Sequence, residues 1–175
     1  MKSSLKLAAL LLGAPSLAYT QLSPPARTTA CVAGTMLTIT YSAPSVRGRR
    51  IFGPGGVVSH DAMYPVWRAG ANAATSFTTS ADLDVGGLKV PKGSYTLYVL
   101  VEDPNAWQLI INKQTGQWGL SYDKSRDLGR VKMNMTKPPA LVEVLRITLS
   151  NEGGNKGKLA MEWENHIASV LITVH

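Results

Sequence analysis

Beyond Pro25 the chain alternates apolar and polar residues with a period of two, the spacing of a strand with one buried face. Leu37, Ile39 and Tyr41 alternate with Thr38, Thr40 and Ser42, and residues 30–33 precede them across Gly34-Thr35, which predicts an opening hairpin. Phe77 among threonines marks a further β-prone run. Leu83 and Val85 face Leu88 and Val90 across Gly86-Gly87, and glycines allow the positive φ angles of tight hairpin turns. Tyr95, Leu97, Val99 and Val101 share one parity, and Trp107, Leu109 and Ile111 form the next strand. Val131, Met133 and Met135 alternate with Lys132, Asn134 and Thr136 as one strand that Pro138-Pro139 ends. Three more strands carry Leu145 to Leu149, Leu159 to Trp163 and Val170 to Val174, with a strong turn at residues 151–155.

No stretch of this region carries an apolar stripe of helical period. About ten short strands separated by Gly and Pro turns predict an all-β domain, an antiparallel β-sandwich or jelly-roll-like fold over residues 26–175. The one long irregular passage runs from Ala43 to about Ala74. Loops of that length are usually functional or disordered. Ile51, Phe52 and Trp67 predict that this one packs down on the core.

The first residues read differently. Lys2 and Lys6 precede the apolar run Leu7 to Leu12, Gly13-Ala14-Pro15 breaks it, and Ser16-Leu17-Ala18 supplies small residues at a cleavage site. This is the pattern of a helical Sec-type signal peptide over residues 1–18, cut after Ala18 or alternatively after Thr20, with a short linker over 19–25. The apolar run is far shorter than the roughly 20 residues of a spanning helix, so no membrane span is expected after cleavage. The expected location is periplasmic or secreted. The formal net charge is +7, and +5 without Lys2 and Lys6. Outside the cell this favours anionic envelope surfaces, acidic polysaccharide or phosphate-bearing ligands over nucleic acid, or it simply keeps the surface soluble. The lone Cys31 fits an exported domain without disulfides, and beside Val32 and Ala33 it reads as a small buried apolar residue.

Candidate chemistry gathers in the irregular passage. Val66-Trp67-Arg68-Ala69-Gly70-Ala71-Asn72 places an aromatic, a fixed cation and an amide in one short run. Trp67 suits stacking or core packing, Arg68 an anion or a buttress, and Asn72 a ligand or its own turn. Thr75 follows, with its hydroxyl expected on the same face, and Arg49 lies in the arginine cluster of residues 47–50. Arg49, Trp67, Arg68, Asn72 and Thr75 are the expected binding residues. Residues 53–56, Gly-Pro-Gly-Gly, form a turn rather than a phosphate loop, having no Gly-Lys-Ser/Thr ending. His60-Asp61 is a possible acid–base or metal pair, but no close-spaced ligand partner accompanies it. Residues 118–123 form a second aromatic and polar patch, a possible lip of a cleft. Glu162 and Glu164, about 7 Å apart on one face of a regular strand, have glycosidase-like spacing, though exposed alternation explains them as well. No nucleophile elbow, metal motif or cofactor motif is present.

The runs Ser42 to Gly53 and Val66 to Asn72 resemble a family of exported bacterial proteins known only as a domain of unknown function (twenty-nine eleven). The likeness continues through residues 93–97, 107–112, Trp118-Gly119 and Arg130-Val131. It implies one exported β-rich domain and no activity. In that family's pattern a glutamate usually follows Gly-Ala-Asn, where this chain has Ala73.

Three functions compete on the sequence. The first is a non-catalytic module that binds a polar, anionic or glycan ligand of the cell envelope, without a cofactor. The second is an envelope hydrolase with His60, Asp61 or Glu162 as general base. The third is a structural or interaction module with no small-molecule site.

Overall fold

Strands at the centre of the molecule are buried on both faces, which sets the architecture. A computed structural model describes residues 22–175, so the signal-peptide assignment lies outside the described residues. The described residues form thirteen strands, and short 3-10 turns at Val57–His60 and Lys124–Arg126 are the only helical elements among them. The strands are β1 (Pro25–Val32), β2 (Thr35–Ser42), β3 (Val66–Trp67), β4 (Thr75–Thr79), β5 (Leu83–Val85), β6 (Leu88–Val90) and β7 (Gly93–Leu100). They continue as β8 (Gln108–Asn112), β9 (Asp127–Lys132), β10 (Asn134–Thr136), β11 (Val142–Gly153), β12 (Lys156–Glu164) and β13 (His166–Val174).

Two antiparallel sheets result, as the alternation predicts. One runs β1-β2-β4-β7-β8-β9, with β3 beside the end of β7; the other runs β11-β12-β13-β5-β6, with β10 beside β13. Both predicted hairpins form, with Leu83 opposite Val90 as expected; the opening one turns at Ala33-Gly34, one residue earlier than Gly34-Thr35, which sets Ala30 opposite Leu37. The sheets also approach at their margins, β1 against β11 and β6 against β9. Residues 44–47 stitch one margin shut. Val46 N–H donates to the Glu143 carbonyl at 2.8 Å, and Leu145 N–H to the Pro44 carbonyl at 2.9 Å.

Residues of both inner faces fill the space between the sheets. Leu37, Ile39, Leu97, Leu109 and Ile111 come from one sheet, and Leu83, Ile147, Leu159, Met161 and Ile172 from the other. Tyr98 and Ile110 point the opposite way, yet they are fully buried. They form a second small cluster with Val66, against which Met63, Leu100 and Tyr122 pack. The chain therefore covers both faces of β7 and β8, which a one-face reading of their apolar parity does not show.

Two further expectations are corrected. Val131 and Met135 belong to two strands in different sheets, and the chain passes between the sheets at Met133, which lies in neither strand and whose N–H donates to the Trp107 carbonyl. The shared parity persists because the inward direction is common to both sheets. Cys31 is exposed: in β1 its neighbour Val32 takes the inward position, and alternation turns the thiol outward.

The Gly86 turn supplies a test of this packing. Its φ is 53°, and a Cβ there would overlap Val131 and Val170 between the sheets. Gly86→Ala is expected to lower the unfolding free energy by about 1–3 kcal/mol more than Gly154→Ala. Gly154 has nearly the same φ, 57°, but faces open space, so the difference between the two urea unfolding free energies isolates the packing term.

Candidate functional site

The segment from Val66 to Asn72 folds as a clasp. Val66 and Trp67 pair with Leu100 and Val99 at the end of β7, which drives the indole into the core, where 2 % of Trp67 is exposed. Trp67 stacks on Trp163 at 5.8 Å and meets the edge of Phe52 at 5.2 Å. It therefore offers no open wall to a ligand. Thr75 is likewise fully buried, and its hydroxyl donates to the Ala69 carbonyl at 2.9 Å.

Arg68 turns to Asp61 rather than to an open cleft. Its Nη2 lies 3.3 and 3.4 Å from the two carboxylate oxygens, and each side chain is 17 % exposed. Its alkyl stem crosses Gly119, where an added Cβ would come within 2.7 Å of Arg68 Cδ and 2.6 Å of the Asn72 carbonyl oxygen. Gly119 N–H donates to that carbonyl, and Ala73 bridges to Trp118. The Trp118–Gly119 segment is thus the strip against which the arginine loop closes. Asn72, with φ of 59°, donates from Nδ2 to the Ser23 carbonyl at 3.3 Å. Arg49 folds back on its own turn, bonding the Val46 and Ser45 carbonyls, and lines a cavity of about 140 Å³ with Ser23 and Arg47. Arg49, Arg68 and Asn72 therefore do not gather on one cavity.

The general-base candidates are also scattered. His60 Nδ1 faces the Gly56 carbonyl, Asp61 faces Arg68, and Glu162 pairs with Arg146 across β11 and β12 at 3.6 Å. Beyond the clasp, residues 118–123 cover the outer face of β7 and β8. There the Tyr122 hydroxyl donates to Asp127 at 2.7 Å, and burial together with that carboxylate pushes its pKa up to about 12. Tyr122 stays protonated as a donor and holds the covering segment down.

A different cavity, of about 270 Å³, lies at the end of the sandwich and is lined by Pro104, Asn105, Met135, Thr136, Lys137, Asn165 and His166. It exists because of the β12–β13 turn. Trp163 pairs with His166 across the two residues Glu164 and Asn165, and Glu164 takes φ of 55°, a position where Gly is usual. Such a backbone costs on the order of 1–3 kcal/mol and persists only where surrounding contacts impose it. Here the contact is the carboxylate itself. Glu164 is 7 % exposed; Oε1 accepts the Ile51 N–H at 2.7 Å, and Oε2 lies 3.3 Å from His166 Nδ1. The left-handed turn breaks the strand alternation, so Glu164 points inward while Glu162 faces out, and the regular glycosidase-like pairing of these two does not form.

His166 stacks on Trp107 at 5.0 Å and meets the edge of Phe52 at 5.1 Å. Its Nδ1 is buried and out of line for a hydrogen bond to Glu164, so their approach is electrostatic. Burial lowers the imidazole pKa below its ordinary 6.5; the Glu164 charge opposes that shift and Lys137 adds to it. Lys137 joins no salt bridge among the described residues. Sequence reasoning passed over Lys137, Asn165 and His166. The available signal was a change of apolar parity, from odd positions through Trp163 to even positions from Ala168, which marks a turn between them.

The fold and site define a closed β-sandwich whose long loop is clasped by Arg68 and whose one end carries a small basic cavity. The chain belongs to the family described as "Protein of unknown function (DUF2911)", whose model matches residues 23–172. No curated protein and no solved structure matches it.

Two outcomes are expected of these contacts. In a double-mutant cycle, Arg68→Ala and Asp61→Asn each cost about 1–3 kcal/mol of stability and couple by about 1 kcal/mol or more; strict additivity would show that the pair is not a clasp. For His166, the unfolded chain takes up a proton near pH 6.5 while the folded chain resists it, so stability present above that pH is lost as the pH falls toward the lowered folded value. Thermal melts of His166→Phe should therefore depend less on pH than wild type between about pH 7 and 5.

Proposed function

We propose that the protein is an exported, non-catalytic module that binds a small polar anion in the cavity at Lys137 and His166. The carrying observation is the make-up of that cavity. Lys137 is its one formal charge, Asn105, Thr136 and Asn165 supply amide and hydroxyl groups, and no carboxylate lines it. A charged anchor with a few convergent polar groups is the arrangement expected of an orienting ligand site. The excess of basic residues and the signal-like N-terminus support an envelope location, periplasmic or secreted.

This reading keeps the ligand class expected from the sequence and moves its site. Arg68 and Asn72 act as loop anchors in it, and their loss affects stability before binding. Calorimetric titration of the purified protein with a panel of small anions, including inorganic phosphate and glucuronate, tests it. Lys137→Gln should weaken the bound anion by about tenfold or more, the loss expected for one charge-assisted hydrogen bond. Arg49→Ala should leave the affinity unchanged. Equal binding by Lys137→Gln and wild type would place the ligand elsewhere.

A further inference from the structure

We propose that the ligand of this cavity is a hydroxylated monocarboxylate about one sugar ring in size, with His166 accepting a hydrogen bond from one of its hydroxyls. The inference rests on the binding reading above and narrows its ligand. Three observations carry it.

The first is the orientation of the imidazole. Nδ1 is buried beside the Glu164 carboxylate, 3.3 Å from Oε2, while about a fifth of the His166 side chain is exposed. The exposed part belongs to the other edge of the ring, which includes Nε2, and His166 lines the cavity. The Glu164 charge 3.3 Å from Nδ1 favours the proton on that nitrogen electrostatically, without a hydrogen bond, and so leaves Nε2 as the acceptor. Trp107 and Phe52 hold the ring between them, so the acceptor points in a fixed direction. A carboxylate oxygen has no proton to give such a nitrogen, whereas a hydroxyl does.

The second is the charge balance. Lys137 supplies one positive charge in the lining, and Glu164 places one negative charge behind His166. A ligand with a single negative charge is matched by the lysine, while a second charge meets the field of Glu164. This favours a carboxylate over a phosphate dianion. Asn105, Thr136 and Asn165 each donate and accept, as hydroxyl recognition requires.

The third is size. At about 270 Å³ the cavity lies just below the roughly 300–1,000 Å³ usual for small-molecule sites, which suits one ring and not an oligosaccharide.

Titration of the purified protein with four probes decides the matter: glucuronate, cyclohexanecarboxylate, glucose and inorganic phosphate. The first carries both features, the second the charge alone, the third the hydroxyls alone, and the fourth tests anion type. Glucuronate should bind about tenfold more tightly than each of the others, the factor that one hydrogen bond supplies. His166→Phe, which keeps an aromatic ring against Trp107, should shrink the advantage of glucuronate over cyclohexanecarboxylate to about twofold or less. Equal binding of those two ligands by wild type, or tighter binding of phosphate, would overturn the inference and leave an anion site in place. An undiminished advantage in a folded His166→Phe would overturn the role of His166. Failure of all four probes to bind would remove both the inference and the binding reading.

Discussion

One buried carboxylate ties the long loop to the end of the sandwich. Glu164 sits in a left-handed turn, accepts the Ile51 N–H at 2.7 Å and faces His166 at 3.3 Å. Burying a charge is costly unless hydrogen bonds and partners receive it, so this arrangement is stable only while the loop and the histidine are both in place. Ile51 and Phe52 descend into the core from the same point, and Phe52 contacts Trp67, Trp107, Trp163 and His166. The imidazole is fixed between Trp107 and Phe52 as a consequence, and the cavity takes its shape from the turn that carries Glu164.

The architecture was legible because alternation reports burial directly. Leu37 to Tyr41, the Leu83–Val90 hairpin and Leu145 to Leu149 lie in strands with the inward faces that their parity predicts. Alternation says nothing about which sheet receives a strand, and so the passage at Met133 was invisible. It also fails where a strand is covered on both sides, as at Tyr98 and Ile110. The site was harder to read for a related reason. Glu164-Asn165 makes a tight turn without glycine, and Lys137, Asn105 and His166 lie far apart in the chain, brought together only by the crossing at Met133 and the final hairpin.

The residues that carry the family resemblance mostly build the loop and its seat. Trp67 is core, Arg68 crosses Gly119 to reach Asp61, Asn72 holds the strand entrance through Ser23, and Trp118 pairs with Ala73. Ala73 is exposed and takes part through its backbone, so the clasp forms without a carboxylate side chain at that position. An aromatic, an arginine and an amide in one run resembled a binding site because clasping a loop and gripping a ligand require the same donors. Burial separates the two uses: in the clasp Arg68 Nη2 and Asn72 Nδ2 are turned to protein partners and Arg68 Nε is buried without one, while Lys137 is exposed on the lining of a cavity.

The central claim is that ligand chemistry belongs to the Lys137–His166 cavity and that the Arg68 loop is structural. Backbone amide shifts recorded during a glucuronate titration test it most directly. The account predicts saturable shifts centred on Asn105, Thr136, Lys137, Asn165 and His166, with residues 68–72 and 118–119 unmoved. Shifts centred on Arg68, Asn72 and Trp118, with the cavity residues silent, would contradict it.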